Sequence, residues 1–249
     1  MTVESSFRWT SCGRSEVGNV RKLNEDAFVD VSARGLWAVA DGMGGHAAGD
    51  IASRMVTDQL RGVGAHDTFS GFLNDVEDRV LEANGRLYSM AMEGDTERII
   101  GCTLAGLLAN GRHVLSVWAG DSRVYRMRGG KLEQLTRDHS EVEEMLERGE
   151  VTEGSPEALA AQNIVTRAVG GSQQLFLDYA VDELRSGDRY LICSDGLYKE
   201  LSAVDLTERL ADNKASCVEV CNALLDTALS RDCADNVTAI VVDFFEAKD

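Results

Sequence analysis

The sequence predicts an α+β layered sandwich, and three observations carry that prediction. Short or period-two apolar runs recur at 7–12, 27–31, 36–40, 103–109, 113–119, 123–127, 189–193 and 237–245, the pattern of strands packed in sheets. Arg128-Gly129-Gly130-Lys131 lies between two apolar runs as a hairpin turn, which requires antiparallel neighbours. Helical spacing falls in groups at 47–61, 67–92 and 217–230, so strands form meanders and do not alternate with helices as in a doubly wound parallel sheet.

Along the chain, 7–12 is the first strand, and Asn24-Glu25-Asp26 leads into a second at Ala27-Phe28-Val29. Leu36-Trp-Ala-Val-Ala40 is a short apolar strand cut off by Asp41 and then by glycines as far as Gly45. After the helix at 47–61, residues Phe69, Phe72, Leu73, Val76, Val80, Leu87 and Ala91 fall on one stripe of a second helix and read as a core face. Strands at 103–109 and 113–119 follow, then the hairpin. Residues 138–163 are Glu-rich and broken by Gly149, Gly154 and the sole proline, Pro156, which predicts a mobile insertion of loop or short helices near the site. No internal repeat, linker or low-complexity tract interrupts the pattern.

A chain of 249 residues with 44% hydrophobic content can bury a substantial core and reads as one domain, 1–249, with the flap insertion at about 138–163. Its net charge of -17 and lack of a Lys/Arg cluster argue against nucleic acid or an anionic membrane as partner. Six cysteines form no CxxC pair, and Cys102, Cys193 and Cys221 lie in apolar segments, so free thiols in a reducing cytosol are expected. The stretch Met1–Trp9 lacks the basic start and apolar core of a signal peptide, and no apolar run is long enough to span a bilayer. A cytoplasmic, soluble protein is the expectation.

Acids recur at the ends of apolar segments. Asp41 follows Leu36–Ala40, Asp121 follows Val117-Trp-Ala-Gly, Asp195 follows Leu191-Ile-Cys-Ser, and Asp235-Asn236 opens Val237–Val242. Any one of them also fits a turn residue, as Asp-Gly and Asp-Asn commonly do. If they converge, each pair of carboxylates about 4 Å apart repels by roughly 4 kcal/mol at an effective dielectric of 20, so cations must share the site. Magnesium and manganese prefer this donor set of carboxylate, carbonyl and water. Two such cations would supply what a phosphomonoester needs: a water acidified towards neutral pH, charge neutralisation and in-line geometry. A thiol-based alternative has no Cys-x5-Arg signature at Cys193.

The residues resemble a family, the metal-dependent serine/threonine protein phosphatases called PPM or type 2C. The resemblance runs in order through Gly18–Asp26, Val39–Gly45, Gly101-Cys-Thr103, Ala119-Gly-Asp121-Ser-Arg123, Thr136–Ser140, Asn163–Gly170, Cys193-Ser-Asp195-Gly-Leu197 and Asp235-Asn-Val-Thr238, and covers nearly the whole chain. It implies a four-layer α-β-β-α sandwich, two antiparallel sheets flanked by helix pairs, with a dinuclear centre at one end. By that resemblance Asp41 would bridge two Mn2+ or Mg2+ ions and the Gly42 carbonyl would ligate one. Asp195 and Asp235 would complete the other, while Glu25 and Asp26 hold waters on the ions. Asp121 with Asp195 would form a third, weaker site, and Arg21 would clamp the phosphate with its planar fork. The implied reaction is hydrolysis of phosphoserine or phosphothreonine by direct attack of a metal-bridging water. Its partners would be phosphorylated proteins, those of a serine/threonine kinase, and the enzyme a monomer of the stand-alone bacterial type.

The pattern departs from the family at one place. Many eukaryotic members carry Asp-Gly-His where this chain has Asp41-Gly42-Met43, and methionine cannot protonate a leaving alkoxide. His46 and His139 are the nearest candidates, although local hydrogen bonding or packing accounts for each more readily; His66 and His113 have no supporting context. Arg123 reads as a buried cation paired with acids, and Thr103 as packing near the metal floor. Rival readings are a catalytically silent phosphatase fold that binds partners, a phosphatase of small phosphomonoesters, and a calcium-binding domain, whose Asp-x-Asp-x-Asp-Gly loop the sequence lacks.

Overall fold

The computed structural model describes residues 7–44, 48–93 and 99–247. The chain opens with β1 (Phe7–Glu16), β2 (Asp26–Val31) and β3 (Leu36–Met43), followed by α1 (Ala48–Arg61) and α2 (Phe69–Met92). Next come β4 (Gly101–Cys102), β5 (Leu104–Asn110), β6 (His113–Ala119), β7 (Arg123–Arg128) and β8 (Lys131–Gln134), then α3 (Glu141–Glu147) and α4 (Pro156–Ala161). The last elements are β9 (Asp178–Glu183), β10 (Arg189–Cys193), α5 (Asp195–Tyr198), α6 (Ala203–Leu210), α7 (Cys217–Ser230) and β11 (Val237–Glu246).

The strands form two antiparallel sheets, one ordered β1-β11-β10-β7-β8 and the other β2-β3-β5-β6-β9, with β4 paired to β3. Period-two alternation sorts their side chains into layers. Along β3, Trp37 and Val39 face the other sheet and meet Tyr190, Ile192, Ile240 and Phe244. Leu36, Ala38 and Ala40 face outward onto Val56, Leu60, Val76 and Leu87 of α1 and α2. On the far side Leu191, Cys193 and Val241 pack under Leu206, Leu210, Leu224 and Leu225 of α6 and α7. Three apolar layers between four layers of structure make the α-β-β-α sandwich. Aromatic rings lock the middle layer, with Trp37 edge-on to Trp9 at 5.8 Å and to Phe244 at 5.9 Å.

Local chemistry explains the boundaries. Ser216 and Glu219 close a capping box at the start of α7, and Ser202 with Asp205 does the same for α6. Gly129 and Gly130 take φ of +57° and +80°, the left-handed pair that a two-residue hairpin needs to join Arg128 to Lys131. The flap holds two short helices, α3 and α4, as its Gly and Pro punctuation allows. Besides the short β4 and α5, the elements outside the predicted set are β9 and α6. Asp-Tyr-Ala-Val-Asp-Glu carries acids because β9 is an edge strand paired only with β6, and α6 has too few residues for its period to stand out. Among the described residues no helix is long and apolar enough to cross a membrane.

Candidate active site

The acids at the strand ends meet at one end of the sandwich. Arg21, Asp41, Asp121, Asp195 and Asp235 line a cleft of about 670 Å³, together with Met43, Ile99, Thr103, Asn163, Ile164 and Lys199. Asp41 comes from β3 in one sheet, whereas Asp195 follows β10 and Asp235 precedes β11 in the other.

Asp26 sits behind this front. It pairs directly with Asp41 across the β2–β3 ladder and is 7% exposed. Its Oδ2 accepts from the Ser194 hydroxyl at 2.7 Å, while its Oδ1 is buried with no hydrogen-bond partner. Burial first, then Asp195 and Asp235, push its carboxyl up to about 7 against the opposing bonds from Ser194 and Thr238. Asp41 is raised well above the usual carboxylate range by burial and by Asp26, Asp195, Asp121 and Asp235. Asp121 is pushed up to about 6, by burial and then by Asp195 and Asp138. Carboxyls held this high can be ionised together near neutral pH only beside positive charge.

Backbone fit supports the same end of the fold. A Cβ on Gly42 would stand 2.3 Å from the Gly49 carbonyl oxygen and 2.5 Å from that of Glu25, so only glycine lets these chains approach. The Gly42 amide donates to the Glu25 carbonyl at 3.1 Å. Asn236 fixes that segment in turn, accepting from the Glu25 amide at 2.8 Å and donating to the Val17 and Leu23 carbonyls. Thr103 ties down Asp41 from both sides: its hydroxyl accepts from the Asp41 amide at 3.1 Å, and its amide donates to the Asp41 carbonyl at 2.8 Å.

Among the described residues no three His, Cys, Asp or Glu side chains come close enough to one another to hold a metal ion by themselves, so an ion there would need carbonyl and water ligands as well. The open set of carboxylates and carbonyls suits a hard divalent cation that keeps several waters. The orphaned Asp26 oxygen is another acceptor left free for such a shell. The residues therefore fit the expected ions.

Two cations of the protein answer part of the charge. Arg21 donates to Asp235 Oδ2 at 2.9 Å and is raised above its usual value by that bond. Its side chain is half exposed, free to turn towards an incoming anion. Lys199 pairs with Asp195 and donates to Asn163 Oδ1 at 2.7 Å. Arg123 is the structural cation expected, gripping Asp138 at 2.7–3.1 Å and stacking 3.6 Å over the Tyr198 ring. Tyr198 in turn donates to the Asp121 carbonyl at 3.0 Å.

His139 faces away from proton transfer at the cleft. Its Nδ1 accepts from the Gly120 amide at 3.1 Å, its Nε2 faces Asp178, and it stacks on Trp118. His66 pairs with Asp75, and His46 lies outside the described residues. Ser194, Asn236, Lys199 and Asn163 carry functional contacts that the sequence reading left without roles. Their only local signal is adjacency to Asp195, Asp235 and the flap.

Residues 12–234 match the family model described as Protein phosphatase 2C, and the chain belongs to that family. It is 36% identical over 231 residues to the serine/threonine protein phosphatase PstP of Mycobacterium tuberculosis, covering 92% of this chain and 44% of that protein's length. The chain thus spans less than half of that relative. Among solved structures it superposes with a TM-score of 0.87 on PppA, described as a key regulatory component of T6SS in Pseudomonas aeruginosa, at 40% identity over 96% of this chain and 98% of that one. The catalytic domain of PstP in complex with two manganese ions matches with a TM-score of 0.83 at 33% identity, over 96% of this chain and all of that one.

Proposed function

We propose that the chain is a Mn2+- or Mg2+-dependent protein phosphatase that hydrolyses phosphoserine and phosphothreonine. The observation that carries this reading is the convergence of Asp41, Asp121, Asp195, Asp235 and Arg21 in one cleft. Manganese in the related PstP domain supports the choice of ion.

Asp41, the Gly42 carbonyl, Asp195 and Asp235 would hold two ions. Glu25 and Asp26 would orient waters behind them, and Asp121 with Asp195 would flank a weaker third place. When bound, the ions supply neutralisation of the phosphoryl oxygens and an acidified water for in-line attack. The chain's own residues do the rest. Arg21 releases Asp235 and binds the phosphate with two parallel donors. Thr103 and Ser194 keep Asp41 and Asp26 from turning. A covalent route through Cys193 has no support, since burial pushes its thiol up to about 12 and it is fully buried. The leaving oxygen takes its proton from solvent in the cleft, as Met43 has none to give.

We read the chain as one catalytic domain with the flap at about 138–163; its last residue, Asn163, lines the cleft together with Ile164 and Val165 just beyond it. Its substrates are phosphorylated proteins of a serine/threonine kinase, its working form a monomer, and its place the cytoplasm, which suits the unpaired thiols of Cys102, Cys193, Cys217, Cys221 and Cys233. Release of phosphate from phosphoserine and phosphothreonine peptides should require added manganese or magnesium. Full turnover after exhaustive chelation would sink the metal reading, and turnover of p-nitrophenyl phosphate alone would make the enzyme one for small phosphomonoesters.

A further inference from the structure

Lys199 stands at the rim of an acid cleft whose other lining charges include Asp41, Asp121 and Asp195, neighbours that favour its charged form. Its position follows from the backbone. Asp195 and Lys199 are four residues apart on one helical turn, and the Lys199 amide donates to the Asp195 carbonyl at 3.0 Å, which stacks the ammonium over the Asp195 carboxylate. The flap holds it from the other side, through Asn163 Oδ1 at 2.7 Å. The ammonium is thus fixed at both ends of its reach.

Asp195 has a second claimant. Asp121 is 4% exposed, and Asp195 is the first charge that raises its carboxyl after burial itself. A divalent ion between Asp121 and Asp195 would relieve that repulsion, yet it would have to share Asp195 with a unit positive charge already in contact.

We propose that Lys199 is a tethered cation that competes with a further divalent ion for Asp195, and so keeps metal binding between Asp195 and Asp121 weak. The inference rests on the metal-dependent reading above. The ions held by Asp41, the Gly42 carbonyl and Asp235 would feel this competition less, because each keeps ligands that Lys199 does not pair with, whereas an ion between Asp121 and Asp195 would depend on Asp195 for half of its carboxylates.

The test is manganese bound per chain, measured by equilibrium dialysis and elemental analysis as free manganese rises from micromolar to millimolar. In Lys199→Gln, which keeps a donor for Asn163 but loses the charge, the weak class of sites should tighten by about tenfold or more. Lys199→Arg should restore wild-type behaviour, and adding Asp121→Asn to Lys199→Gln should abolish the gain. The tight class should keep its number throughout, with circular dichroism verifying that each variant is folded. A weak class equally tight in wild type and Lys199→Gln overturns the role of Lys199 while leaving the phosphatase reading in place. Failure of wild type to bind any manganese overturns the metal reading itself.

Discussion

Asp26 and Asp41 stand directly opposite each other on neighbouring antiparallel strands, two carboxyls at a spacing where like charges destabilise a sheet. Neither carries a salt bridge to Lys or Arg among the described residues. Ionising both members of such a pair depends on charge from outside it.

The first consequence is thermal. Cations that bind only the folded state stabilise it by mass action, about 2.7 kcal/mol at a hundredfold excess over the dissociation constant. Millimolar manganese should raise the melting temperature, and sodium chloride at matched ionic strength should do so much less. Asp41→Ala should shrink the manganese response, while its metal-free form should melt no lower than metal-free wild type. Equal manganese shifts in both proteins would make Asp41 a turn residue only.

pH should act on the metal-free protein in a stated direction. Asp26 rises from 3.8 to about 7 and Asp121 from 3.8 to about 6, in both cases by burial first and then by neighbouring carboxylates. Groups raised on folding contribute stability that is full below about pH 4 and is lost as pH climbs through 6 and 7. His139, lowered by burial, works in the opposite sense, so the comparison with Asp26→Asn isolates the carboxyl. Urea midpoints in EDTA should fall between pH 4 and pH 7.5 more steeply for wild type than for Asp26→Asn. Parallel curves would mean that Asp26 ionises normally.

Arg21 and Asp195 should separate kinetically. Arg21→Ala should raise KM for phosphopeptides, by about 1.5–3 kcal/mol in binding if one charge-assisted contact is lost. Asp195→Asn should instead cut kcat severely through weaker metal binding. Steady-state kinetics for all three proteins at one fixed manganese concentration, just sufficient to saturate wild type, distinguishes the two, and an unchanged KM in Arg21→Ala together with full activity in Asp195→Asn would remove both assignments.

Gly42→Ala tests the close approach of backbones. The new methyl would meet the carbonyls of Gly49 and Glu25, neither the end of a flexible side chain, so the strand end must shift. We expect about 1–3 kcal/mol of lost stability in urea and a smaller manganese-induced rise in melting temperature, because the Gly42 carbonyl moves with its residue. A variant as stable and as manganese-responsive as wild type would show that the strand end yields freely.

Local pattern carries far in this chain. Asp41, Asp195 and Asp235 are legible because each interrupts or opens an apolar run, and the four-layer architecture follows from strand meanders, grouped helices and the ordered motifs. Asp26, by contrast, is held by the Ser194 hydroxyl, 168 residues away in sequence, and no window of sequence contains both. Lys199 and Asn163 meet across 36 residues, so their bond is equally invisible before folding. β9 is hidden for a different reason: its acids suit an exposed edge and blur the apolar signal on which strand recognition depends.

The cleft takes Asp41 from one sheet and Asp195 and Asp235 from the other, so the middle apolar layer also acts as a spacer. The thickness set by Trp37, Tyr190 and Phe244 fixes how far apart the two halves of the site are held. A substitution that thins or swells that layer, remote from any phosphate, would move oxygens that no chain segment links directly. On the metal-dependent reading proposed above, core packing would align the ligands, and variants of the aromatic layer should reveal themselves as changes in metal affinity before they reveal themselves as unfolding.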